Sequence, residues 1–166
     1  SLLLDKCIKA NSKNIPAHAV KSICLLKMGR FQEVINYFDT IPQEIVILGE
    51  KTGAIGLAHA LNGDKENAAN YLKQLTEQAA GPNGFTADSF LFFMHVVSGN
   101  KEKAFEWVEY AIKNKSTLLL LRFSDPLVNS IKSDPRYEQF KKEIFKLTEV
   151  PTKTKGKKSL LDEESA

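Results

Sequence analysis

Apolar residues recur along this chain at intervals of three and four, never in a sustained alternation. Val34, Ile35, Phe38 and Ile41 form one stripe, Ala68, Ala69, Leu72 and Leu75 a second, and Ala104, Phe105, Val108, Ala111 and Ile112 a third. This spacing predicts amphipathic helices of roughly three to four turns each. The helix-breaking residues fall between the stripes, at Asn14-Ile15-Pro16, Ile41-Pro42, Gly81-Pro82-Asn83-Gly84 and the Asp-Pro pairs 125–126 and 134–135. No β-hairpin signal interrupts the pattern, so the fold class expected is all-α.

The stripes also resemble one another. Met28-Gly29-Arg30-Phe31-Gln32-Glu33-Val34 aligns with Asn62-Gly63-Asp64-Lys65-Glu66-Asn67-Ala68 and with Ser98-Gly99-Asn100-Lys101-Glu102-Lys103-Ala104, which sets the glycines 34 and then 36 residues apart. Gly29, Gly63 and Gly99 are expected to end the first helix of a pair, where a left-handed residue closes the C-terminus. Asp64 and Asn100 follow as caps of the second helix, with Glu66 and Glu102 in its first turn.

A period near 34 with a glycine turn between two helices resembles the tetratricopeptide repeat, and residues 15–116 are similar to three such repeats. The resemblance implies a right-handed superhelix of antiparallel helix pairs, stabilised by stacking of neighbours. Ala68 and Ala104 stand at the family's small position in the second helix, with Val34 a bulkier occupant, and Gly56 at the small position of the first, where the other repeats carry Ser22 and Phe92. The family lines its concave face with the first helix of each pair. Here that draws on Ile23 and Leu26, then Glu50, Gly53, Leu57 and Ala60, then Thr86, Ser89, Phe93 and Val96. Ile23, Leu26, Leu57, Ala60, Ser89, Phe93 and Val96 are the candidate ligand groove, apolar and suited to a protein or peptide ligand or to self-association; the alternative is that a neighbouring helix of the full-length protein already fills it. The cationic clamp of the chaperone-binding members is absent, because its positions hold Ala19, Ile23, Leu57, Thr86 and Phe90.

The flanks extend this organisation. Residues 1–14, with Leu3, Leu4, Cys7, Ile8 and Ala10, read as the second helix of a preceding, truncated repeat. Residues 117–150 read as closing helices, with Asp125-Pro126 and Asp134-Pro135 as helix starts and Tyr137, Phe140, Ile144, Phe145 and Leu147 on the last helix. Residues 151–166 read as a linker towards a C-terminal domain absent from this chain. The stretch from Ser124 to Tyr137 is similar to the closing segment of bacterial tetratricopeptide sensor regions. Lys157 to Glu164 resembles the lead-in to the DNA-binding half of AraC-type transcriptional regulators of the Bacteroidetes. That resemblance implies the sensor or interaction region of a helix-turn-helix regulator, touching DNA only through the absent domain. A free-standing scaffold joining protein partners is the alternative.

Composition narrows the chemistry. The chain has 166 residues, 43% hydrophobic and 26% charged, with a net charge of +3, enough for one domain with its own core and too little charge to announce nucleic-acid binding. No apolar run approaches a membrane span, and the first residues lack a secretory pattern. Cys7 and Cys24 make no disulfide framework and read as core thiols, so a cytoplasmic location is expected. His59 and His95, equivalent in consecutive repeats, read as half-buried packing residues rather than ligands, and His18 has no partner visible in the sequence. Trp107 reads as packing against the closing helices, with an exposed interface anchor as the alternative. Glu66 and Glu102 read as solvated first-turn residues, and Lys153, Lys155, Lys157 and Lys158 as a solvated linker. With no phosphate loop, nucleophile elbow or zinc motif, the chain reads as a non-catalytic binding domain that needs no cofactor or metal.

Overall fold

A computed structural model describes residues 2–41, 48–81 and 87–148. Among them the chain is helical without strands: α1 (Leu2–Ala10), α2 (Ile15–Lys27), α3 (Phe31–Tyr37), α4 (Leu48–Leu61), α5 (Lys65–Ala79), α6 (Ala87–Val97), α7 (Lys101–Asn114), α8 (Thr117–Arg122), a 3-10 helix (Pro126–Ile131) and α9 (Pro135–Thr148). The linker expected at 151–166, and the Gly81–Gly84 turn beyond Gly81, lie outside the described residues.

Three helix pairs, α2/α3, α4/α5 and α6/α7, are closed by the same turn. Gly29, Gly63 and Gly99 have φ of +69°, +80° and +77°. In each turn the glycine N–H bonds the carbonyl three residues back (Leu26, Ala60, Val96), and the next residue's N–H bonds the carbonyl five back (Leu25, His59, His95). This paired pattern is the Schellman motif, which needs a left-handed residue at the glycine. Asn14, Asp64 and Asn100 then cap α2, α5 and α7, their side-chain oxygens accepting from the N–H of Ala17, Asn67 and Lys103. Arg30 supplies no such cap to α3. That helix runs for only seven residues, shorter than the three to four turns expected from its stripe. Past Tyr37 the ladder gives way to tight turns: the Asp39 and Thr40 N–H groups bond the carbonyls three residues back, and the Thr40 hydroxyl also bonds the Tyr37 carbonyl.

Each pair stacks on the next, with α4 against α2, α3, α5 and α6, and α6 against α4, α5 and α7. The closest approach is at Gly53, where an added Cβ would lie 2.3 Å from Cγ of Phe90. Only hydrogen fits there, so α4 and α6 meet almost backbone to ring. Gly56, the small position in α4, faces Tyr71 and Met94 in the same way. Helix α6 is apolar on nearly every side, and from Ala87 to Met94 all of it is buried. An all-round apolar helix needs a full ring of neighbours, and α8 with the 3-10 helix completes that ring.

Both Asp-Pro pairs start helices as expected. Asp125 accepts from the Leu127 N–H at 3.0 Å, and Asp134 from the Arg136 N–H at 3.1 Å. Helix α9 locks onto α7. Phe140 stacks on Phe105 at 5.6 Å, while the Arg136 guanidinium lies 4.4 Å over the Phe105 ring and forks onto Glu102 at 2.7 and 2.8 Å.

Candidate functional site

The residues expected to line an open inner groove are mostly inside the protein. Leu57 is 1% exposed, Phe93 and Val96 3%, Leu26 6% and Ser89 0%. Ile23 and Ala60 are half-buried. Of the seven candidate groove residues, five are packed in the interior and so are covered rather than open at the surface. The physical reason is that α4 is enclosed by helices on either side of it, while α8 and the 3-10 helix fold back over α6. Leu119, Phe123, Val128 and Ile131 of this returning segment are all fully buried. Phe123 lies between Phe92 at 6.0 Å and Tyr137 at 4.6 Å, and the Tyr137 hydroxyl donates to the Phe123 carbonyl.

Beneath α8 sits a polar cluster that sequence reasoning missed. The Ser116 hydroxyl donates to the Asp88 carboxylate, Arg122 Nη1 donates to Ser89 Oγ at 3.2 Å, and the Arg122 guanidinium lies 5.2 Å over the Phe90 ring. Glu50 comes into the same field from α4, and its Oε1 is buried without a hydrogen-bond partner among the described residues. Burial pushes the carboxyls of Glu50 and Asp88 above their ordinary range, against the pull of Arg122 and, for Asp88, of its hydrogen bonds. Burial likewise lowers Arg122, against the attraction of Glu50, Asp125 and Asp88. The available signal was a single charge within an apolar run, Asp88 ahead of Phe90 to Met94 and Arg122 after four leucines.

The histidines have three different settings. His18 is buried between two elements: Nε2–H donates to the Ser12 carbonyl at 2.9 Å, which leaves Nδ1 to accept from the Tyr37 hydroxyl at 2.6 Å. Burial pushes that phenol up to about 12. His59 is closed in by Tyr71, which stacks on it at 5.5 Å, and by Asp64, whose carboxylate lies 3.0 Å from Nδ1. His95 faces open space, at the floor of a cleft of about 790 Å³ between α5 and α7. Burial and the neighbouring Lys103 hold it below the ordinary imidazole range, partly offset by Glu106.

This outer cleft is walled by Leu72, Lys73 and Glu77 of α5 and by Trp107 and Tyr110 of α7. Trp107 is half-buried against the core and sits edge-on to Tyr110 at 5.3 Å, so it faces the cleft and not only packed neighbours. Tyr110 is 47% exposed. A smaller hollow of about 510 Å³, shared at Ala69 and Leu72, continues past Met94 to Ala60, which brings that one groove residue to a concave surface. The larger cleft sets apolar Ala69, Leu72, Trp107 and Tyr110 among seven polar or charged residues, an open groove of mixed character.

Among the described residues, no three His, Cys, Asp or Glu side chains are placed to hold a metal ion, and no helix is long and apolar enough to cross a membrane. Cys24 is half-buried, whereas Cys7, expected in the core, is exposed on α1, which among the described helices packs chiefly on α2. The chain matches no family profile, no curated protein and no solved structure in sequence or fold comparisons.

Proposed function

We propose that this chain is a non-catalytic, protein-binding module of tetratricopeptide type, the interaction region of a helix-turn-helix transcriptional regulator acting in the cytoplasm. The repeat assignment is supported above all by one observation: three Schellman turns of matching hydrogen-bond pattern, at the same 34- and 36-residue intervals as the sequence repeat. Successive helix pairs stacked on one another are the arrangement such repeats use to bury what each pair alone leaves open. The regulator context comes from the resemblance of residues 157–164, which lie outside the described residues.

With the inner face packed, the partner surface in this reading is the α5/α7 cleft. Trp107 and Tyr110 line it, and such aromatic residues are the usual anchors of protein interfaces. The test is capture of a protein from lysate by the chain and by two surface variants. Tyr110→Asp, at the cleft, should abolish capture; Leu121→Asp, at a residue 75% exposed on α8, should leave it intact. Equal capture by both variants removes the cleft from the reading. The codons following Ala166 decide the context: paired helix-turn-helix units there support the regulator, and a stop or further repeats support the scaffold alternative.

A further inference from the structure

The second and third helix pairs carry related side chains at three matching positions and use them differently. His59 and His95 are 36 residues apart, as are Asp64 and Asn100, and Tyr71 and Trp107. In the second pair the set is closed. Tyr71 lies nearly flat on the His59 imidazole, with ring planes 16° apart, and the Asp64 carboxylate meets His59 Nδ1. In the third pair the set is open. Trp107 turns edge-on to Tyr110 at 68°, and Asn100 spends its side-chain oxygen on the Lys103 N–H. His95 then has neither a ring across its face nor a hydrogen bond to its nitrogens among the described residues. The place that Tyr71 takes over His59 corresponds, over His95, to the floor of the 790 Å³ cleft.

The cleft wall adds a charge pattern. Lys73 and Glu77 stand one helical turn apart on α5, both line the cleft, and neither forms an ion pair among the described residues. Lys103 and Glu106, opposite them on α7, neutralise each other at 2.6 Å. The unmatched charges are thus one cation and one anion in a fixed order along α5.

We propose that the cleft takes an aromatic side chain of a partner peptide, stacked on His95 as Tyr71 stacks on His59, with an acidic and a basic residue of that peptide set against Lys73 and Glu77. The inference rests on the protein-binding reading above and names the partner's chemistry. An imidazole held neutral by burial accepts a ring on its face without a charge having to be desolvated. Opposite charges flanking the ring fix the direction in which the peptide lies.

Trp107 is the chain's single tryptophan, so its fluorescence reports on the cleft directly. The probes are blocked amphipathic helical peptides with Phe, Leu or Ala at one central position, flanked by Glu and Lys in either order. The Phe peptide should shift the Trp107 emission and bind up to about tenfold more tightly than the Leu peptide, the upper end of what a stacked ring pair contributes. His95→Ala and His95→Leu, with helicity checked by circular dichroism, should erase that preference while leaving Leu-peptide binding unchanged. Exchanging the wall charges, Lys73→Glu with Glu77→Lys, should reverse the favoured order of flanking residues.

Equal binding of the Phe and Leu peptides overturns the stacking inference and leaves the cleft standing as a protein-binding surface. So does the absence of any shift with all the peptides when Tyr110→Asp still loses its captured partner. No shift together with undiminished capture by Tyr110→Asp overturns both. An emission that changes with protein concentration alone, and stops changing in Phe145→Ala, assigns the cleft to a second copy of the chain offering its exposed Phe145, and overturns the proposal as well.

Discussion

Lys27 and Asp125, separated by 98 residues, meet at 2.6 Å and tie the C-terminus of the first helix of the first pair to the start of the returning 3-10 helix. That contact spans the stack from one end to the segment that closes the other. The Lys27 side chain is 44% exposed, so the pair marks the path of the chain more than it stabilises it. The stabilisation lies beside it, in Phe123, Val128 and Ile131, which the same segment buries completely. The returning segment is therefore a structural part of the domain.

The burial of Leu57 and Phe93 predicts that Leu57→Asp and Phe93→Asp abolish cooperative unfolding rather than merely blocking a ligand. Each places a carboxylate at a site no more than 3% exposed, a change expected to destabilise by more than about 4 kcal/mol. Far-UV circular dichroism with urea titration reads this out. A variant that keeps its helix content and transition midpoint would show that the inner face is open after all.

The glycines make a graded prediction. Gly53→Ala pushes a methyl into the Phe90 ring and should cost about 3 kcal/mol, because the obstacle is the root of the ring rather than a flexible end. Gly63→Ala meets no atom within 4 Å, yet it forces alanine to a φ of +80°, and about 1 kcal/mol is expected. Lys115 already holds the left-handed conformation at the end of α7, with a φ of +54°. Lys115→Gly should stabilise by about 0.5–1 kcal/mol for the same reason run in reverse. Denaturant midpoints for the three variants should fall in that order, with Gly53→Ala lowest.

The cluster under α8 gives a pH dependence with a definite sign. A carboxyl whose folded pKa is raised contributes stability that is fully present below its unfolded value, near 4 for these groups, and is lost as pH rises through the folded value. Glu50→Gln removes that loss. It should stabilise the domain at pH 7 by about 1 kcal/mol, the low end for an unsatisfied buried polar group, and should flatten the rise of stability on acidification. Arg122→Met has the opposite effect: it strands Glu50 and Asp88 without a cation and should destabilise by about 3 kcal/mol at pH 7. Adding Glu50→Gln to Arg122→Met should recover part of the loss. Additive effects of the two changes would mean that Glu50 and Arg122 do not communicate.

At the acid end the sign reverses. Arg136 holds Asp134 down to about 2 and lowers Glu102 as well. Their contribution is present above the unfolded carboxylate range, near 4, and is lost as pH falls through the folded values. Arg136→Gln should therefore lower the midpoint at pH 7, bring acid unfolding in at higher pH, and lose its effect below the folded carboxylate values. Unfolding followed by Trp107 emission across pH 2–5 checks it, and an unchanged acid midpoint would rule out Arg136 as the clasp between α7 and α9.

The features legible in the sequence are those set by short-range rules. The three glycine turns, the caps at Asp64 and Asn100, and the Asp-Pro helix starts each depend on hydrogen bonds that span no more than five residues, and each stands where its residues place it. The all-helical class followed from the same source, because a spacing of three and four leaves one apolar face per helix whatever lies opposite. Tertiary packing decided what each face meets. Leu57 and Phe93 read alike as groove or core, since an apolar stripe does not reveal whether a later helix covers it. Helix α8 and the 3-10 helix, returning from residues 117–131, settled that for α6. Glu50 and Arg122 share one low-dielectric site only because α4 and α8 both pack on α6, and His59 and His95, identical in register, differ because Asp64 and Tyr71 close on the one while their counterparts Asn100 and Trp107 leave the other open.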